Sequence, residues 1–177
     1  MKGKVLIATP DLLTDDIFSQ SVIYMVDQHD EGSVGFILNK PFTARLKDVT
    51  FLPYEMPLYK GGPVAPDRLY FIHTLPALIP GAVPITGPFY WGGDLQSLLE
   101  QGIPEDELKG RIKFFSGYSG WSPGQLEKEI EEGAWLVSGK KINPLTVNDT
   151  TVWKELLVDT NPDLYLWKNA PSNPQLN

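Results

Sequence analysis

Apolar residues open the chain in short unbroken runs. KVLIA (4 to 8) and SVIYMV (21 to 26) are hydrophobic on both faces of an extended backbone, which predicts two strands in the middle of a sheet. DQHDEGS and then VGFILN follow, so residues 21 to 38 predict a hairpin whose polar loop contains Gly32. From Pro41 to Pro66 the prolines at 41, 53, 57, 63 and 66, together with the turn Gly61-Gly62-Pro63, predict irregular chain. RLYFIHT (68 to 74) then alternates, with Leu69, Phe71 and His73 on one face of a strand and Tyr70, Ile72 and Thr74 on the other. GPFYWGG leads into DLQSLLEQG, a helix capped by Asp94, striped by Leu95, Leu98 and Leu99 and stopped by Gly102.

RIKFFSG is the next strand, and GYSGW reads as a glycine-rich corner between it and a helix. Ser122-Pro123-Gly124-Gln125 has the form of a capping box, with Ser122 as cap and Gln125 reaching back. Leu126 and Ile130 lie one turn apart on the buried side, and Gly133 ends the helix before AWLV returns as a strand. A last helix over 149 to 158, capped by Asn148 or Asp149, turns Val152, Trp153, Leu156 and Leu157 inward, and APSNPQLN closes the chain. There is no repeat or linker-like shift in composition. The pattern therefore predicts one α+β domain over residues 1–177, a mixed, twisted sheet with helices packed against it.

Composition narrows the chemistry. With 177 residues, 42% of them hydrophobic and 21% charged, the chain can bury a core of its own. The absence of Cys removes disulfides and thiolate chemistry, and leaves His29 and His73 as the imidazoles. Neither a metal nor a cofactor is expected, because His29 among Asp27, Asp30 and Glu31 reads as a solvated loop. The longest apolar candidate, YFIHTLPALIPGAVPI, is broken by Pro76, Pro80 and Pro84, and Lys2 and Lys4 precede only VLIA. These features predict a cytoplasmic protein without a membrane span. A net charge of −7 makes nucleic acid an unexpected partner, and Lys109, Arg111, Lys113, Lys140 and Lys141 read as a solvated face.

The motifs stop short of a reaction. GYSGW misses the nucleophile elbow at its last position, where Trp121 replaces glycine, and Gly117-Tyr118-Ser119-Gly120 lacks the helical, basic setting of a nucleic-acid clamp. GPFYWGGD has phosphate-loop spacing, but Gly93 and Asp94 stand where Lys and Ser/Thr are needed. His73 reads as a hydrogen-bonded core histidine. The N–H groups opening the 123 to 132 helix, beside Tyr118 and Trp121, offer a seat for a small anion or a ring.

GYSGWSPGQLEKEIEEGAWLV resembles the signature of the AlgH family, also called UPF0301 or DUF179, with Ser119 where Ala is usual. LIATPDLLTDDIFSQSVIYMVDQHDEGSVGFILNKP resembles its opening, KGGPVAPDRLYFIH its centre and PSNPQLN its end. The resemblance implies a bacterial cytosolic protein with a bulged, twisted sheet surrounded by helices. It also brings a label of transcriptional regulator and no established catalytic roles. The family motif falls on Asn39, Lys40, Pro41, Gly61, Gly62, Pro63, His73, Gly117, Tyr118, Gly120, Trp121, Pro123, Gly124, Gln125, Leu126 and Glu129.

The leading expectation is a non-enzymatic binding or regulatory protein that takes a small ligand or a protein partner. Its candidate ligand-binding residues are Asn39, Lys40, Gly61, Gly62, His73, Gly117, Tyr118, Gly120, Trp121, Gly124 and Gln125. The alternatives are a transcriptional regulator, and a hydrolase or transferase using His73 with Ser119 or Lys40.

Overall fold

The computed structural model describes residues 1–149 and 151–169. The terminal PSNPQLN and the Thr150 of the Asn148-Asp149-Thr150 sequon lie outside them.

The two doubly hydrophobic runs are interior strands. β1 (Val5–Ala8) lies between β10 (Trp135–Ser138) and β2 (Val22–His29), and β3 (Gly32–Ile37) pairs on the far side of β2. Val5, Ile7, Val22 and Tyr24 enter one core layer, while Leu6, Ala8, Ile23 and Met25 enter the other, which is why the sequence shows no alternation here. The hairpin loop is shorter than its polarity suggests. β2 runs on to pair His29 with Gly32, leaving Asp30 and Glu31 as the turn, because a strand end that projects into water accepts polar residues.

The segment from 41 to 66 corrects the expectation of irregular chain. It holds β4 (Pro41–Arg45), a single helical turn α1 (Leu46–Val49), β5 (Pro57–Lys60) and the start of β6 (Val64–His73). Pro41 and Pro57 each occupy the first residue of a strand, where a missing N–H interrupts little of the ladder, and Pro66 falls where the β6 register shifts. β7 (Val83–Thr86), β8 (Phe89–Trp91), α2 (Gln96–Glu100) and α3 (Glu105–Leu108) follow. As expected, Asp94 accepts the Gln96 N–H at the start of α2, at 3.2 Å; the short α3 carries no periodic signal in the sequence.

β9 (Ile112–Trp121) organises the fold. It pairs antiparallel with β6 along one edge; along the other it pairs parallel with β5 through Phe114–Ser116 and antiparallel with β3 through Ser119–Trp121. One parallel pairing in an otherwise antiparallel ten-stranded sheet, with register shifts in four pairings, makes the sheet mixed and bulged. Helices cover it. α4 (Gln125–Glu131) packs Leu126 against Trp121 and Trp135 on one layer, and α5 (Thr151–Thr160) packs Trp153, Leu156 and Leu157 on the other. The Trp153 indole also donates to the Ala8 carbonyl at 2.7 Å, fixing α5 to β1. Asp149 accepts the Thr151 N–H at 3.0 Å, so it is the capping residue of the expected pair. The short helices α1 to α3 enclose a third cluster, with Leu46, Leu98 and Leu108 around Phe71 and Phe114.

Candidate functional site

GYSGW is not a corner but the second half of β9, and the turn to α4 comes at Ser122–Gly124. Its first glycine serves a backbone crossing. Residues 61 and 62 lie directly against residues 117 to 119: Gly61 N–H donates to the Ser116 carbonyl at 2.9 Å, and a Cβ on Gly62 would overlap the Tyr118 carbonyl. Gly117, at φ +69°, answers from the other side, where an added Cβ would fall 2.6 Å from the Gly62 oxygen. The GGP and GYSGW motifs therefore meet, and they meet as packed backbone. Ser119 is fully buried and donates to the Gly61 carbonyl at 3.1 Å.

The rest of the signature builds a carboxylate node. Glu129 accepts the indole N–H of Trp121 at 3.0 Å and of Trp135 at 2.9 Å, while its other oxygen accepts Gln125 Nε2 at 3.0 Å. Gln125 Oε1 reaches back to the Ser122 N–H at 3.0 Å, the expected half of the capping box, whereas α4 itself is seven residues long and begins after Gly124. Trp121, expected beside an open helix end, is buried edge-on to Trp135.

Asn39, Lys40 and His73 are held in similar ways. Asn39 accepts the Val22 N–H at 2.9 Å and donates to the Gln20 carbonyl at 3.0 Å, and Lys40 donates to the Ser19 carbonyl, so this pair pins the chain entering β2. Burial lowers the Lys40 pKa, against the pull of Asp15. His73 is fully buried: Nδ1 accepts the Leu75 N–H at 3.0 Å, which leaves Nε2 to donate to the Gly92 carbonyl at 2.9 Å. Burial holds its pKa below the ordinary histidine value. Its strand partner is Ile112, seven residues along β9 from Ser119, a separation of roughly 20 Å. The two residues do not form a nucleophile and base pair.

Tyr118, Gly120 and Trp121 do line a depression. It measures about 460 Å³ and is completed by His29, Ser33 and Val64.

A larger cleft, about 660 Å³, lies elsewhere. Met56, Pro57, Ile112 and Leu145 give it an apolar wall, and Arg45, Glu55, Glu105 and Lys109 give it a rim of both charges. Arg45 and Lys47 both pair with Glu55, at 3.3 and 2.5 Å. Lys113 lines it from within, only 4% exposed. Its ammonium donates to the Leu38 carbonyl at 2.7 Å, to the Val147 carbonyl and to Asn148 Oδ1 at 3.3 Å, and it sits 4.0 Å from the centre of the Tyr59 ring. Burial pushes its pKa down to about 7, and the three oxygens and the ring face are what hold a proton there. The sequence carried a signal for this: Lys113 shares a strand face with Phe115, two residues on, and Phe115 is core.

Among the described residues there is no cluster of three or more His, Asp or Glu side chains able to hold a metal, and no helix long and apolar enough to cross a membrane. Fold and clefts together define an α+β protein with surface clefts and with its signature residues built into the scaffold. The chain belongs to the AlgH-like family (DUF179), whose model matches residues 5–165. It is 40% identical to a UPF0301 protein of Bacteroides fragilis over 99% of this chain and 91% of that one, and 35% identical to a UPF0301 protein of Chlorobaculum parvum, covering 99% and 95%. The solution structure of AlgH from Pseudomonas aeruginosa is similar with a TM-score of 0.65 and 27% identity, covering 82% of this chain and 79% of that one. A crystal structure of a Corynebacterium diphtheriae protein shares the fold at a TM-score of 0.72 and 21% identity, covering 94% and 91%.

Proposed function

We propose that this is a non-enzymatic binding protein whose small, polar ligand lodges in the cleft above Lys113. The observation that carries this reading is the cleft itself. It joins an apolar wall to a rim of both charges within about 660 Å³, the size of an ordinary ligand pocket. The reactive side chains support binding over catalysis. His73 has both nitrogens occupied by backbone, Ser119 donates to a carbonyl, and Lys113 has three oxygen acceptors around its three donors. A rim carrying Arg45 and Lys109 beside Glu55 and Glu105 favours a zwitterionic or uncharged polar ligand, and a chain of net charge −7 disfavours nucleic acid.

The test is an amide-resolved NMR titration with free amino acids, short dicarboxylates and monosaccharides. Saturable shifts at Arg45, Lys109 and Thr146 are expected, and Thr146→Trp, which fills the cleft from an exposed position, abolishes them. Saturable shifts confined to residues 118–122 would instead move the site to the Tyr118 depression, and an unresponsive cleft would overturn the assignment.

A further inference from the structure

A second cleft, about 380 Å³, opens where the chain enters β1 and leaves β10. The β1–β10 register creates it. Val5 pairs with Ser138, so the residues just outside the ladder, 2 to 4 and 139 to 141, run side by side, and Lys2 and Lys4 converge with Lys140 and Lys141. Among the described residues, no Asp or Glu lines this cleft. Lys140 pairs with Asp159 at 2.9 Å, while Lys2, Lys4 and Lys141 make no ion pair among the described residues. In a chain with 22 acidic and 15 basic residues, four lysines around one concavity are a local reversal of sign, and they repel one another unless an anion sits between them.

The floor has a different chemistry. Phe89 and Ile142 form apolar walls, and Tyr24 stands edge-on to Phe89 at 6.4 Å. Tyr24 is 2% exposed, yet its hydroxyl has no hydrogen-bond partner among the described residues. Burial pushes its pKa up to about 12, so it remains a neutral donor. Gly3 lets the lysine-bearing segment close onto the β7–β8 turn, where a Cβ would lie 2.5 Å from Thr86 Cγ2.

We propose that this cleft binds a small phosphorylated molecule carrying a planar ring, with the phosphates among Lys2, Lys4 and Lys141 and the ring against Phe89 and Tyr24. Its polyanionic class sets it apart from the ligand proposed for the Lys113 cleft.

Isothermal titration at low salt with ADP, pyrophosphate and adenosine as probes tests this. ADP should bind saturably, at least about tenfold tighter than either fragment, with NMR shifts at Gly87 and Ile142 and none at Thr146. Raising the salt should weaken ADP, Lys4→Ala with Lys141→Ala should cost it about tenfold or more, and Tyr24→Phe about threefold. Absence of saturable ADP binding, ADP no tighter than pyrophosphate, or ADP affinity unchanged in the lysine double variant overturns the proposal. Shifts centred on Thr146 overturn it too, while leaving the other cleft's reading intact.

Discussion

Replacing Glu129 with alanine should release two tryptophans at once. The carboxylate accepts indole donors from Trp121, 6% exposed, and Trp135, 2% exposed, at 3.0 and 2.9 Å, and no other acceptor for either indole is found among the described residues. Hydrogen bonds to a charged acceptor contribute about 1.5–3 kcal/mol when buried, and an orphaned buried donor costs about 1–3 kcal/mol. Because Glu129 itself is half-buried, the low end applies to each, giving a loss of about 2–4 kcal/mol for Glu129→Ala. Glu129→Gln keeps an oxygen for the indoles and should lose about 1 kcal/mol. Urea unfolding followed by tryptophan fluorescence measures both. A cycle with Trp121→Phe isolates the pair: the alanine substitution should cost about 1 kcal/mol less once one indole donor is gone. If Glu129→Ala stays within about 0.5 kcal/mol of the parent, or the cycle shows no coupling, the node does not hold the α4 layer together.

His73 makes stability depend on pH. With its folded pKa lowered, the unfolded chain takes up the proton first, so this contribution is complete above about pH 6.5 and is lost as pH falls from there through the folded value. His73→Asn should flatten that slope by up to one proton in urea midpoints measured across the range, and an unchanged slope would assign the dependence to other groups. Gly62→Ala must force apart two backbones, straining the Gly61–Ser116 and Ile37–Gly61 bonds of 2.9 Å each, and should cost about 3 kcal/mol or more. Gly139→Ala, with nothing within 4 Å, is the control and should lie within about 0.5 kcal/mol of the parent in the same unfolding experiment. Lys113→Met leaves the Leu38 and Val147 carbonyls without the ammonium and should cost about 2–4 kcal/mol by calorimetry; a stabilised variant would show that the buried charge is the greater burden.

Strands that are apolar on both faces were legible because an interior position is what tolerates Leu6 next to Ile7, or Ile23, Tyr24 and Met25 in succession. The approach to α4 and α5 was legible to within a few residues through Gln125 and Asp149, whose side chains act on their own turns, although Gly124, and not Ser122, stands at the cap of α4. What failed was the reading of glycine and proline as breakers. Gly117 sits inside a strand because a second backbone crosses there, Gly120 sits inside it against the Tyr118 ring, and Pro41 and Pro57 begin strands. A residue's propensity reports the turn it permits; whether a neighbouring chain needs the space instead depends on partners far away in sequence, as Gly62, Val64 and Pro66 are from Gly117.

The clefts were hidden for a related reason. Their lining comes from sequence-distant segments, and the nature of each depends on a pairing register. Lys140 and Lys141 look like solvated charges until β10 is laid against β1, and Lys2 and Lys4 look like a charged terminus until the same step is taken. A shift of one residue in that pairing would turn the flanking side chains to opposite faces and disperse the lysines. The register is held by burial on both faces of β1, by the Trp153 bond to Ala8, and by Thr9, whose hydroxyl donates to the Gly133 carbonyl at 2.6 Å. Loosening that edge should therefore weaken ADP binding before it unfolds the protein: Thr9→Val, which keeps the shape and removes the hydroxyl, is expected to lower the affinity without changing any residue that lines the cleft.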